Sequence, residues 1–196
     1  LAEHLGLYSE AGKMVNISWP SLPHARPHIF SQLTVLNTES ASLISPTSFN
    51  SLWHKMANDF KSNLICVRDW AYFQHRYLSH PEHNYQFLMI KNRLNKKLRG
   101  IAVIKRENDH YEILDIISTL KDIPLVILHT RRFAKVAENL AVCCHITENF
   151  SPYFMGKNAS INLTDIRIPA NAWTQGTDIS SLNNHWWLMS GDMDCR

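Results

Sequence analysis

The chain has 196 residues, 45% hydrophobic and 19% charged, with 6 Gly and 8 Pro. Folding a chain of this length hides roughly 70% of its unfolded surface, enough for a core without staples. The composition excludes disordered, collagen-like and low-complexity classes, and the sequence holds no run of 18 apolar residues to cross a membrane.

The formal charge of +3, from 20 Lys plus Arg against 17 Asp plus Glu, is too mild to mark a nucleic-acid binder. The 11 His make the net charge sensitive to pH below about 6.5. Cys66, Cys143, Cys144 and Cys195 form no C-x-x-C pair. The adjacent Cys143 and Cys144 project to opposite faces of a strand, a poor start for a shared metal site. The four read as buried thiols of a reducing, cytoplasmic compartment. Asn16, Asn158 and Asn162 open glycosylation-type triplets with no secretory signal to support them.

Along the chain, residues 1–5 read as the end of a helix stopped by Gly6. Met14, Val15, Ile17 and Trp19 then mark an extended segment over 13–19. Residues 20–30 carry Pro20, Pro23 and Pro27 and read as a linker. Residues 1–19 are therefore expected to finish a preceding domain, with the domain proper running over 31–196.

Residues 32–36 alternate as a short strand. Phe49, Leu52, Trp53, Met56 and Phe60 trace one face of a helix, with Thr47 or Ser48 as cap. Residues 64–67 suit a short buried strand or turn. Asp69 caps a second helix that carries Trp70, Phe73 and Tyr77 and ends before Pro81. Strands are predicted over 85–91, 100–105 and 111–117, joined by short polar connections that favour antiparallel hairpins. Their near-continuous apolar runs suit strands covered on both faces. Asp122 caps a long helix with Pro124 in its first turn and Leu125, Val126, Phe133, Val136, Ala137 and Leu140 on its buried side. A strand over 141–146, a short helical segment over 150–156 and strands over 161–168 and 185–189 complete the order. A polar loop with Asn171, Gly176 and Asp178 separates the last two.

The order is strand, two helices, three antiparallel strands, a long helix, strand, short helix and two strands. It resembles the Gcn5-related N-acetyltransferase (GNAT) superfamily, and more narrowly the C-terminal half of bacterial acyltransferases built from two such domains in tandem. Leu5-Gly6-Leu7-Tyr8 and Trp19-Pro20 are similar to the end of a first GNAT domain. Arg76-Tyr77-Leu78-Ser79-His80-Pro81 and Gly191-Asp192-Met193-Asp194 look like markers of the second. The resemblance covers essentially the whole chain. It implies an α/β (α+β) fold with a mixed, mostly antiparallel central sheet flanked by helices. It also implies acetyl-CoA or another acyl-CoA as cofactor and an amine acceptor. The implied partner is a preceding GNAT-like domain of the same chain, with a homodimer open and no membrane.

In that superfamily the CoA diphosphate sits on a turn of type Arg/Gln-x-x-Gly-x-Gly/Ala, cupped by backbone amides at a helix N-terminus. By position the cofactor-binding residues here are Ile117, Ser118, Thr119, Leu120 and Lys121, followed by Asp122-Ile123-Pro124. The stretch has no Gly, so side chains obstruct close phosphate approach. Pro124 removes a donor, and Asp122 brings an anion to the place of an anionic ligand. Lys121, Arg131 and Arg132 compensate in part. The expectation is an absent or strongly altered cradle. The resemblance gives Tyr153 the role of acid toward the departing thiolate and makes Glu112, Asp115 and His145 candidate bases. A packed aromatic and ordinary hydrogen-bonded side chains are the plainer alternatives.

Lys91, Arg93, Lys96, Lys97 and Arg99 crowd one hairpin, which suits an acidic partner, a nucleic-acid backbone or simply a solvated tip. His75, His80 and His83 lack an i, i+4 pair, and Asp192 and Asp194 lack a third oxygen ligand, so no metal site is expected. Trp53, Trp70 and Trp186 read as core. Two functions follow: a GNAT-fold domain that has lost cofactor binding and shapes a substrate cleft or interface within an acyltransferase, or an active N-acetyltransferase domain. Nucleic-acid binding through the hairpin comes third. The altered turn favours the first.

Overall fold

A computed structural model describes residues 8–80, 85–171 and 178–193. The helix end before Gly6, and His83, Gly176, Asp194 and Cys195, lie outside these described residues.

Helix α1 (Pro46–Asp59) buries Phe49, Leu52, Trp53 and Met56, the face its periodicity predicts. Its cap is Ser45 and not Thr47 or Ser48: Ser45 accepts from the Ser48 amide, because Pro46 fixes the first helical position one residue earlier. Strand β3 (Leu64–Ile65) follows α1, and Asp69 caps α2 (Trp70–Phe73) by accepting from Tyr72 N at 2.9 Å. A π-helical turn, Gln74–Leu78, extends α2 and buries Tyr77.

The main sheet draws on β1 (Tyr8–Trp19), β2 (Ser31–Leu36), β4 (Gln86–Asn92), β5 (Leu98–Arg106), β6 (His110–Ser118), β7 (Ala141–Thr147) and β8 (Ser160–Asn171). Their order is β2-β4-β5-β6-β7-β1-β8. Every neighbouring pair is antiparallel except β6 and β7, which are parallel because α3 (Ile123–Ala137) crosses between them. The segment expected to finish a preceding domain thus supplies β1, which lies between β7 and β8 and buries Val15, Ile17 and Trp19 in this core. Residues 20–30 carry no regular element, as a proline-rich connection should.

Helix α3 packs on β4 to β7 with Ile123, Val126, Ile127 and Ala134 inward. The predicted stripe is displaced: Val136 is 76% exposed and Ala137 is also exposed, while His129, Thr130 and Arg131 are buried. At Gly100 a Cβ would lie 2.4 Å from Val126 Cγ2, so that glycine lets α3 settle on β5. Glu148–Tyr153 forms a short 3-10 turn, α4 (Ile179–Leu182) follows β8, and β9 (Trp186–Trp187) pairs in parallel with β3. The predicted strand over 185–189 is therefore shorter and lies outside the main sheet. No helix among the described residues is long and apolar enough to cross a membrane.

Candidate functional site

Strands β6 and β7 pair over His110–Glu112 against Ala141–Cys143 and then part. A register shift against β5 leaves Leu114 as a bulge at the point of divergence. The chain's own C-terminal segment fills the opening. Thr147 N donates to Leu188 O at 3.2 Å, Met189 bridges to Ile146, and His145 N donates to Ser190 Oγ at 3.0 Å. Gly191 comes so close to β6 that a Cβ there would stand 2.9 Å from Leu114 O and 2.5 Å from Tyr77 Oη. Arg76 donates to Gly191 O at 2.6 Å from the other side.

A buried charge cluster pins this segment. Arg68 Nε donates to both Asp115 carboxylate oxygens, at 2.9 and 3.1 Å, and its Nη2 pairs with Asp192. Tyr77 donates its hydroxyl to Asp115 at 3.1 Å. Burial alone weakens the guanidinium's hold on its proton, and Asp115 and then Asp192 reverse this, raising its pKa above the ordinary value. Burial likewise pushes the Asp192 carboxyl up, with Arg68 opposing it.

The turn into α3 is satisfied internally. Leu120 N donates to the Asp59 carboxylate at 2.9 Å, and Asp122 N donates to Thr119 O at 2.9 Å. Asp122 stands at the helix cap position, but its side chain makes no cap hydrogen bond and pairs instead with Arg99. A guanidinium is the stronger donor, so it takes the carboxylate the cap would use. Outside the turn lies an open groove of about 970 Å³, bordered by Asn50, His54, Lys55 and Lys121.

A second cleft, of about 650 Å³, opens where β1, β6 and β7 present polar side chains on one face. The register sets Asn16 opposite His145, Ser18 opposite Cys143 and Glu112 beside Cys143, so all five face the same way. Glu112 Oε1 accepts from Ser190 Oγ at 2.7 Å and lies 3.2 Å from His145 Nδ1. Asn16 Nδ2 stands 3.3 Å from His145 Nε2. The imidazole thus bridges the Asn16 amide and the Glu112 carboxylate, one through each ring nitrogen.

Solved structures share this architecture. A conserved protein of unknown function from Enterococcus faecalis, named a "probable N-acyltransferase", superposes with a TM-score of 0.56 at 9% identity, covering 87% of this chain and 42% of its own. A GCN5-related N-acetyltransferase from Anabaena variabilis gives 0.53 at 13% identity, covering 84% of this chain and 41% of its own. The fold is GNAT-like. A functionally unknown conserved protein from Staphylococcus epidermidis gives 0.52 at 11% identity, with 83% and 62% covered. This chain therefore spans less than two thirds of each of those proteins. No family model and no curated protein matches the sequence.

The turn into α3 offers few free backbone donors and carries two carboxylates. The Leu120 amide already holds a carboxylate, Asp122 adds a second one buried at the helix head, and Pro124 has no amide proton. Ile117 and Ser118 are buried in the sheet, Thr119 is buried beside Asp122, and Lys121 is exposed. Arg131 and Arg132, expected to compensate, lie two turns farther along α3. Arg131 donates to Lys157 O at 3.1 Å and Pro20 O at 3.2 Å.

Glu112 and His145 are brought together, whereas Asp115 belongs to the Arg68 cluster. Tyr153 is 41% exposed, lies near Phe150 with ring centroids 6.4 Å apart and planes tilted by 33°, and borders none of the cavities described above. Asp192 is an ion-pair partner, and no group of three or more His, Cys, Asp or Glu among the described residues is arranged for a metal. The cationic hairpin is not one face: Arg99 turns inward to Asp122 and Arg93 Nε donates to Ser31 O at 3.3 Å. Trp53 is buried, while Trp70 and Trp186 are half-buried at the margin of the core. Sequence reasoning missed Asn16, Ser190 and Arg68. Asn16 and Ser18 alternate with Val15, Ile17 and Trp19, a pattern that marks one polar face of β1.

Proposed function

We propose that this is a GNAT-fold domain of an acyltransferase that no longer holds acyl-CoA and serves by shaping a polar substrate cleft. The observation that carries the reading is the Asp59 carboxylate on the Leu120 amide, because an acidic side chain and a diphosphate cannot share that donor. The C-terminal segment in the gap between β6 and β7 supports it, since packed protein replaces the open splay an acyl chain needs. The role left to the domain is the cleft of Asn16, Glu112 and His145, whose polar lining suits a hydrogen-bonding substrate handled by a partner domain. Such a partner, a preceding GNAT-like domain of the same chain, is part of this proposal.

Calorimetric titration of the purified chain with acetyl-CoA tests it. No heat up to millimolar ligand, from protein whose circular dichroism shows a folded state, is the expected result. Micromolar binding would overturn it.

A further inference from the structure

On the flank of α3 facing β2, away from the divergence of β6 and β7, lies a cavity of about 340 Å³. That volume is within the range of small-molecule pockets. Leu33, Val35, Phe133 and Val136 give it apolar walls. Its charged side is Arg93 and Arg132, and its lining includes no Asp or Glu. Arg132 has its Nε buried without a hydrogen-bond partner, and the side chain makes no ion pair among the described residues. Burial first, and Arg93 second, pull the Arg132 guanidinium below its ordinary pKa. The half-buried Arg132 and the exposed Arg93 repel each other across the cavity, and an anion between them would relieve that repulsion.

The floor is preorganised. Ser31 Oγ stands 2.7 Å from His28 Nδ1 and 2.7 Å from His129 Nε2, and Ser31 and His129 are both buried. His129 is neutral at pH 7, its pKa pushed down to about 4 by burial, then by Arg132, His28 and Arg99. The fixed positive charge of the cavity therefore rests on the two arginines.

We propose that this cavity binds a small organic anion, a carboxylate on an apolar aryl or alkyl body. Arg93 and Arg132 grip the carboxylate, as planar guanidiniums do, and the four apolar side chains receive the body. A bare inorganic anion would leave those walls unfilled, and a neutral ligand would leave the arginines uncompensated. The ligand gives the domain a recognition site separate from the polar cleft and from the diphosphate turn.

Calorimetry of the whole chain with 4-phenylbutyrate, 4-phenylbutanol and inorganic phosphate tests this. Phenylbutyrate is expected to bind at least about tenfold more tightly than either comparison, the loss of one charge-assisted contact being worth about that factor. Arg132→Gln should weaken phenylbutyrate binding by about tenfold or more. Val136→Asp, a change at the exposed rim that leaves the core untouched, should weaken it through repulsion and decides the matter if the first variant folds poorly. Equal binding of the alcohol, equal binding of phosphate, affinity unmoved by Val136→Asp, or no heat from phenylbutyrate at millimolar concentration would each overturn the assignment.

Discussion

Arg68 and Asp115, 47 residues apart in sequence and each with a side chain 1% exposed, meet at 2.9 Å beneath the point where β6 and β7 part. Asp192 completes the group from the C-terminal segment. A buried ion pair adds little over a well-packed apolar substitute, but removing one member strands the others without compensation. Arg68→Met leaves Asp115 and Asp192 buried beside each other, so we expect a loss of about 3–5 kcal/mol in urea unfolding. A change below about 1 kcal/mol would mean the cluster is open to water.

Gly191 is the second device holding that segment. A methyl group there meets the Leu114 carbonyl at 2.9 Å, and backbone of a paired strand cannot step aside cheaply. Gly191→Ala should cost about 1–3 kcal/mol and should speed amide exchange over 186–192 ahead of the sheet. Uniform exchange across the chain would argue against a segment wedged in the gap.

Most of the architecture was legible because it is written in local patterns. Phe49, Leu52, Trp53 and Met56 sit at helical spacing, and the runs around Phe87, Ile101 and Ile113 are separated by short polar turns. The lack of glycine between Ile117 and Pro124 was legible for the same reason, since it concerns consecutive residues. The carboxylate on the Leu120 amide was not: Asp59 lies 61 residues before Leu120, and no spacing rule links them. The wedge of 186–192 was also hidden, because Trp186, Trp187 and Met189 read equally well as an ordinary strand. Val136 misled because an apolar residue on a helix need not face the core, and α3 turns that edge toward the cavity beside Arg132.

The Asp59–Leu120 bond has its own consequence. It ties the end of α1 to the entry of α3, so Asp59→Ala should lower stability by about 1 kcal/mol, the size of a lost carboxylate–amide cap. Acetyl-CoA should still not bind this variant, because Asp122 and Pro124 keep the turn acidic and short of a donor. Micromolar acetyl-CoA binding by Asp59→Ala in calorimetry would show that one carboxylate alone blocks the site.

His129 makes stability depend on pH in a definite direction. Burial, reinforced by Arg132, His28 and Arg99, holds its folded pKa at about 4 against an ordinary 6.5. Above about 6.5 the ring is neutral folded and unfolded, so its contribution is fully present. As pH falls from about 6.5 toward about 4, the unfolded chain takes up the proton and the folded one resists, so stability is lost across that window. His129→Gln keeps a neutral hydrogen-bonding side chain near Ser31 and removes the titration. Its urea midpoint should therefore fall less than that of the native chain between about 6.5 and 4, with the two curves parallel above 6.5. Parallel curves through the whole window would mean that the His129 ring takes up its proton as readily in the fold as in the unfolded chain.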